Sequence, residues 1–220
     1  PPEIKYSKLI NEIIADFFNK FKLKNIHVIT GHINPQIIET LKNISIQFDN
    51  LTITCSNPGF KLISELWNQR SPNSKQFVEV QLPKINIIKK ELKIELENIS
   101  FELIPVPTAR WPGGLMVYES NHEILLSEKI FSAHIASDNW SETNRMSTEV
   151  DRKHFYDCLM APMSSQIAAI AEKISELEIK TIAPLHGPAI EYSLKSFLND
   201  YIRWGGDNST NNPKISLIYA

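Results

Sequence analysis

Two short apolar stretches, each running into a histidine, constrain the fold of this 220-residue chain more than any other feature. Residues 26–36 read I-H-V-I-T-G-H-I-N-P-Q, and residues 181–188 read T-I-A-P-L-H-G-P. Each stretch predicts a buried strand that ends in a loop, with His32 in the first loop and His186 in the second. Because α/β sheets carry their chemistry beyond the carboxyl ends of strands, both histidines are candidate site residues, the alternative being ordinary polar residues with satisfied hydrogen bonds.

The order of the predicted elements favours a mixed α/β fold. Strands first alternate with helices, beginning with an amphipathic helix whose apolar stripe should cover a sheet and including a strand over residues 77–82. Over residues 84–126 the pattern changes to period two, which predicts antiparallel hairpins. Helices follow, the last over residues 194–204. Two sheets with helices outside them predict an α/β (α+β) fold, a four-layer αββα sandwich.

The composition of the last part of the chain predicts a domain boundary. Residues 1–204 form the predicted sandwich domain, and the polar, glycine-rich residues 205–212 are typical of a linker. Residues 213–220 turn apolar again. They predict a strand that either pairs within this domain or, as the preceding linker favours, is the first strand of a further domain.

Composition and charge exclude several classes of partner. The formal net charge is -2, so the chain has no electrostatic reason to bind nucleic acid or an anionic membrane. No apolar run reaches the roughly 18–20 residues of a membrane span. Cys55 and Cys158 stand far apart without a CxxC motif, which predicts buried thiols in a reducing compartment. We therefore expect a cytoplasmic protein.

Four motifs in the same order point to a known family. They are G-H-I-N-P-Q at 31–36, P-T-A-R-W-P at 107–112, F-Y-D-C-L-M-A-P at 155–162 and L-H-G-P at 185–188. Together they resemble the metallo-β-lactamase-like domain of flavodiiron proteins of the cyanobacterial kind, the diflavin flavoproteins, in register over the whole chain. The resemblance implies a metallo-β-lactamase-like sandwich that lacks its opening strands at the N-terminus.

The resemblance also implies an activity and partners. Family members pass electrons from NAD(P)H through FMN to iron and reduce O₂ to water, or NO in some members. The FMN would belong to a flavodoxin-like domain after residue 213. Family dimers pack head to tail, so we expect a homodimer or a heterodimer with a flavodiiron paralogue. Trp111 would then lie near the FMN of the partner chain, unless it is a plain core aromatic.

The resemblance assigns seven positions to the ligands of two irons, and most of them have changed. Two imidazoles remain, two carboxylates have become amides, one ligand has become aliphatic and two have become cations. A guanidinium has no lone pair to offer a metal, and a lysine would first have to lose its proton. We therefore expect iron, the family's metal, not to bind here. The seven positions are His32, Asn34, Gln36, Ile37, Arg110, Lys129 and His186.

Two arrangements of these residues remain open. In the first, Arg110 and Lys129 occupy the space of the metals and hydrogen-bond the remaining polar residues, or hold a chloride or carboxylate. In the second, Glu128 turns inward and completes a mononuclear site with the two histidines. Side chains alternate along a strand, so Glu128 is expected to point away from Lys129's side.

The other reactive residues are expected to be structural or to lie on the surface. This holds for four histidines, and we expect packing and capping from the pair Asp157 and Cys158. The histidines are His27, His122, His134 and His154.

Three functions therefore stand side by side: a flavodiiron oxidoreductase subunit, a non-catalytic or regulatory module, and a mononuclear metallohydrolase, which the lost ligands disfavour.

Overall fold

The computed structural model describes residues 4–48, 50–68, 80–96 and 98–206. The chain divides into two units, residues 1–128 and residues 129–220. We call them the first and the second unit.

Three helices and seven strands lie in the described residues of the first unit. The helices are α1 (Ile4–Phe21), α2 (Pro35–Gln47) and α3 (Asn57–Trp67). The strands are β1 (Ile26–Ile29), β2 (Leu51–Ser56), β3 (Lys84–Ile88), β4 (Leu92–Leu96), β5 (Ile99–Pro105), β6 (Leu115–Glu119) and β7 (Ile124–Glu128).

The strands of the first unit pair in two ways. β1, β2 and β3 pair in parallel in that order, with Ile26 opposite Leu51 and Ile53 opposite Ile85. β4, β5, β6 and β7 follow as antiparallel neighbours, as the period-two pattern predicts. The two kinds of pairing therefore divide the unit into a crossover part and a hairpin part.

The third parallel strand differs from the prediction. Residues 80–82 are not in a strand, and residues 77–79 lie outside the described residues. The strand that pairs with β2 is β3, which begins directly after Pro83. Its sequence, K-I-N-I-I, resembles the start of the hairpin region. Only its pairing with β2, some 30 residues earlier, distinguishes a third parallel strand from the first strand of the hairpin region.

Apolar side chains from α2, α3 and β2 form the core beside the parallel strands. The buried members are Ile38, Leu41, Ile44, Phe48, Leu51, Ile53, Cys55, Ile63 and Trp67. From α1, Ile14 and Phe18 pack against this core. The predicted stripe of α1 is otherwise only partly covered, since Leu9, Ile13 and Phe17 are each about half exposed (51%, 47% and 56%).

Up to residue 206, where the described part of the second unit ends, it contains three helices and one strand. They are α4 (Glu149–Leu159), α5 (Ser164–Ser175), β8 (Thr181–Pro184) and α6 (Leu194–Gly206), with short 3₁₀ turns at Arg145–Ser147 and Ala161–Met163. Helix α6 extends to Gly206, two residues beyond the predicted end, and Gly205 is buried within it. The remainder of the proposed linker and the strand at 213–220 lie outside the described residues.

Close backbone contacts position the loop after β1. A Cβ atom added to Gly31 would lie 2.6 Å from the backbone nitrogen of Leu115 and 2.8 Å from its carbonyl oxygen. At Gly113 an added Cβ would lie 3.2 Å from the Gly31 carbonyl oxygen and 3.2 Å from the Cα of Gly59. The Ser56 hydroxyl also donates to the Gly113 carbonyl at 3.0 Å. The loop that carries His32 is thus held directly against the loop that precedes β6.

We expect Gly31→Ala to destabilise the protein by about 1–3 kcal/mol, because the new methyl group meets backbone that has no room to move. The measurement is the midpoint of urea unfolding. Gly206→Ala is the matched control. Nothing lies within 4 Å of a Cβ added there, so its effect should stay within about 0.5 kcal/mol. Equal midpoints for both variants would contradict this account.

Candidate metal centre

Asn34 connects His32 to the beginning of helix α2. It is the N-cap residue, and its side-chain oxygen accepts a hydrogen bond from the Ile37 backbone N–H at 2.8 Å. Its amide nitrogen therefore faces Nε2 of His32, at 3.2 Å. An amide N–H donates to that ring nitrogen, so Asn34 presents a donor to His32.

The next two candidate positions, Gln36 and Ile37, serve other parts of the structure. The Gln36 side chain is exposed, and its backbone carbonyl accepts a hydrogen bond from Thr40. Ile37 packs against the apolar core described above. Pro35 occupies the first turn of α2, where its missing N–H costs nothing. Gln36 therefore serves the helix and Ile37 the core.

Arg110 and Trp111 lie together in a tight turn after β5. The Trp111 backbone N–H donates to the Thr108 hydroxyl at 3.0 Å. The Trp111 carbonyl oxygen accepts from the backbone N–H groups of Thr108 and Gly114. Trp111 is only 7% exposed, whereas Arg110 is exposed, with its guanidinium carbon 5.9 Å from the Trp111 ring centroid. A cation at this distance is attracted by the face of the ring.

In the second unit, Lys129 contacts His186. The Lys129 Nζ lies 3.1 Å from Nε2 of His186. Burial lowers the pKa of His186, and the positive charge of Lys129 lowers it further. A neutral imidazole accepts from an ammonium group, so Nε2 of His186 is the acceptor. Lys129 and His186 are therefore joined by a hydrogen bond in this unit.

The backbone holds the His186 loop firmly. The His186 carbonyl oxygen accepts a hydrogen bond from the Ala133 backbone N–H at 3.1 Å. Gly187 has a φ of +83°, and an added Cβ would lie 3.1 Å from the Ala133 side chain, so a glycine is required there.

A buried arginine on α4 ties together the segments that carry Lys129 and His186. Arg152 is 3% exposed, and its guanidinium donates to the carbonyl oxygens of Phe131 at 2.5 Å and Pro188 at 3.2 Å. It also donates to the Thr148 hydroxyl and to the buried Glu142 carboxylate, at 3.1 Å and 3.4 Å. Burial lowers the pKa of Arg152, while Tyr201 and Glu142 oppose that shift.

No short-range pattern in the sequence predicts this network. Arg152 lies in a helix of charged residues and Glu142 in a loop ten residues earlier, so nothing short-range links them. By contrast, the Asn34-Pro35 pair is a recognisable helix start, and the capping role of Asn34 could have been predicted from it.

The backbone conformation of Glu128 removes the basis for the predicted direction of its side chain. It is the last residue of β7, and its φ of +59° is left-handed, so the alternation of side chains along the strand does not extend through it. Alternation therefore does not decide which way this carboxylate points. Across the described parts of the chain, no group of three or more His, Cys, Asp or Glu side chains is placed to hold a metal ion.

The remaining histidines lie at structural or surface positions, as predicted. In the first unit, Nε2 of His27 is 2.5 Å from the Thr54 hydroxyl, and Nδ1 of His122 is 2.7 Å from the Glu119 carboxylate. In the second unit, His134 and His154 are exposed.

The prediction for the cysteines is right in one half only. Both are free thiols, and Cys55 is fully buried. Cys158 is exposed, so the buried position predicted for it is wrong. Asp157 is exposed too and pairs with Lys153 rather than capping or packing. The reason is that the buried face of α4 carries Arg152 and its helical neighbours, and these two residues lie off that face.

The comparison with known families now identifies the class of the chain. A family model described as the ODP family beta lactamase matches residues 3–187. The chain therefore belongs to the β-lactamase-like ODP family.

Within that class, the relatives are diflavin flavoproteins of cyanobacteria. The chain is 31% identical over 195 residues to diflavin flavoprotein A 3 of Synechocystis sp., covering 88% of this chain and 31% of the relative. It is 30% identical over 220 residues to diflavin flavoprotein A 5 of Nostoc sp., covering 100% of this chain and 36% of the relative. The chain thus spans about a third of the length of the curated relatives it matches.

Solved structures support the same fold. The metal-soaked Flv1 flavodiiron core from Synechocystis sp. PCC6803 matches with a TM-score of 0.80 and 27% identity, covering 96% of this chain and 50% of that one. A fragment (1–254) of diflavin flavoprotein A 5 from Nostoc sp. PCC 7120 matches with a TM-score of 0.78 and 28% identity, covering 94% of this chain and 76% of that one. The predicted β-lactamase-like fold and the family resemblance are confirmed. In the described residues, no helix is long and apolar enough to span a membrane.

We expect Arg152→Met to lower the free energy of unfolding by about 3–5 kcal/mol, because it leaves the Glu142 carboxylate buried without its counter-charge. The measurement is urea unfolding at neutral pH. Adding Glu142→Gln to that variant should restore part of the loss by removing the buried charge.

Arg203→Met is the matched control for Arg152→Met. The Arg203 side chain is 66% exposed and its pair with Asp200 lies at the surface, so the expected cost is within about 1 kcal/mol. A loss below about 1 kcal/mol for Arg152→Met would contradict the network described here.

Proposed function

We propose that this chain is the β-lactamase-like part of a flavodiiron oxidoreductase subunit whose own di-iron site no longer binds iron. The observation that carries the proposal is the 3.1 Å contact between Lys129 Nζ and His186 Nε2. A ring nitrogen has one lone pair, and here the ammonium group uses it. A protein-borne cation thus stands against an imidazole that family members direct at iron.

The donor set also does not fit a pair of irons. Two irons need about six ligands drawn from imidazoles and carboxylates, one of them bridging. His32 turns Nε2 toward the amide of Asn34, and Gln36 and Ile37 turn elsewhere. A fixed cation about 4 Å from a metal costs roughly 4 kcal/mol for each pair of unit charges at an effective dielectric constant near 20. Two amides do not offset that cost.

The proposed activity belongs to the whole flavodiiron protein and not to this domain alone. Electrons pass from NAD(P)H through FMN to O₂, which is reduced to water. The FMN is carried by a flavodoxin-like domain, for which residues 213–220 would supply the first strand. The names of the relatives, diflavin flavoproteins and a flavodiiron core, support this assignment.

Assembly follows from the same proposal. The subunit works in the cytoplasm as a head-to-tail dimer, either with its own copy or with an iron-bearing paralogue. Trp111 then faces the FMN of the partner chain. The 7% of its surface that is exposed would be the part of the ring that shields the flavin. If the paralogue holds the irons, this chain serves as a scaffold or regulatory partner, which is the second candidate function.

We expect the purified chain, produced in iron-supplemented medium, to contain less than about 0.2 iron atoms per chain, because its donors do not fit. The measurement is elemental analysis by mass spectrometry. About two irons per chain would overturn the proposal. About one iron per chain, lost in Glu128→Gln, would support the mononuclear alternative with His32 and His186 instead.

Restoring the family ligands tests whether only the ligands were lost. The five substitutions are Asn34→Glu, Gln36→Asp, Ile37→His, Arg110→His and Lys129→Asp. In the full-length protein, we expect the combined variant to gain up to two irons per chain and to consume O₂ with NAD(P)H, because carboxylates and imidazoles replace the cations.

A control and a contrary outcome complete this test. Lys153→Asp reverses a charge on α4 outside the ligand set and should bind no iron. If the combined variant binds iron but consumes no O₂, the scaffold role is favoured. If it folds and binds no iron, the proposed ligand positions are wrong.

A further inference from the structure

Strand β4 lies at an open edge of the antiparallel strands of the first unit. It pairs with β5 on one side, with Lys93 opposite Glu102 and Ile94 opposite Phe101. In the described parts of the chain, no strand pairs with the other side of β4. Such an edge presents a row of backbone N–H and C=O groups with which another strand can pair.

The hydrogen bonds of β5 show which backbone groups of β4 face the open edge. The Ser100 N–H donates to the Asn121 side chain at 3.1 Å, and the Ser100 carbonyl oxygen accepts from the Ser120 N–H at 3.1 Å. Both Ser100 groups therefore point away from β4, where Glu95 is the opposite residue. Because the direction alternates along an antiparallel pair, Glu95 and Lys93 direct their own N–H and C=O groups to the open edge.

The side chains of β4 alternate between a charged face and an apolar face. Lys93 and Glu95 are exposed, and the Lys93 Nζ lies 3.9 Å from the Glu102 carboxylate on β5. On the other face, Ile94 packs with Phe101 against a buried apolar cluster. The open edge therefore carries a positive and a negative side chain two residues apart, with an apolar residue between them.

We propose that β4 pairs with β4 of a second copy of this chain, antiparallel and about a two-fold axis at Ile94. Lys93 then lies opposite Glu95 of the second copy, and Glu95 lies opposite Lys93 of that copy. Each of these two pairs exchanges two backbone hydrogen bonds, and Ile94 lies opposite itself. Because both copies use the same edge, the contact closes at two chains. This interface does not rest on the proposed function.

The charges of β4 select this register. A two-fold axis at Lys93 would place Lys93 opposite itself, and an axis at Glu95 would place Glu95 opposite itself. Like charges directly opposite each other destabilise a strand pair, whereas opposite charges stabilise it. A parallel pairing in register would also oppose like charges at both positions. A lysine on an edge strand ordinarily discourages pairing, but with the axis at Ile94 a glutamate neutralises it.

Charge reversal tests the interface, with sedimentation equilibrium of the chain as the measurement. We expect the mass to approach that of two chains as the concentration rises. Lys93→Glu and Glu95→Lys should each raise the dissociation constant at least about tenfold, because like charges then oppose each other. Lys195→Glu, at an exposed position of α6, changes the net charge as Lys93→Glu does and should leave the constant unchanged.

Mixing the two variants tests the register. The two glutamates of Lys93→Glu face the two lysines of Glu95→Lys, so the mixture should form dimers although each variant alone stays monomeric at the same concentration. That recovery also shows that both variants are folded. A mixture that stays monomeric, or an original chain that is monomeric at every concentration, would overturn the proposal. A dimer whose dissociation constant neither substitution changes would overturn it too, and would favour the head-to-tail dimer instead.

Discussion

The hydrogen bond between the Lys129 ammonium group and Nε2 of His186 determines which ligands the loop after β8 can bind. It places a fixed positive charge on the nitrogen that would otherwise be open to a ligand, and it favours the neutral imidazole. Arg152 donates hydrogen bonds to the carbonyl oxygens of Phe131 and Pro188, which each lie two residues after one of these partners. The positions of a cation and a histidine are therefore fixed by one buried guanidinium and its counter-charge.

In the first unit a different group occupies the Nε2 atom of a histidine. Asn34 gives its oxygen to the first turn of α2 and its N–H to His32, so one amide satisfies a helix end and an imidazole together. A carboxylate at this position would cap the helix equally well, but it would offer the histidine an acceptor in place of a donor. In both units, hydrogen bonds within the protein occupy the nitrogen atoms of residues that resemble metal ligands.

Short-range patterns were enough to predict most elements, and long-range pairing accounts for what they missed. The apolar runs into His32 and His186 and the period-two hairpins were visible in the sequence because each depends on neighbouring residues. Strand β3 was misplaced because its parallel pairing with β2 is set by contacts far apart in the chain. The Arg152 network is long-range in the same way. The exposure of Cys158 was within reach, since helical spacing puts it off the face that Arg152 defines.

The cap at Asn34 has a consequence for how such a protein matures. In a metal enzyme, the loops around the site are ordered by the ion, and the chain must wait for its delivery. Here the Asn34 side chain, which is part of the chain itself, caps the first turn of α2. The hydrogen bond that closes the loop after β1 onto α2 therefore comes from a side chain of the chain itself and needs no ion.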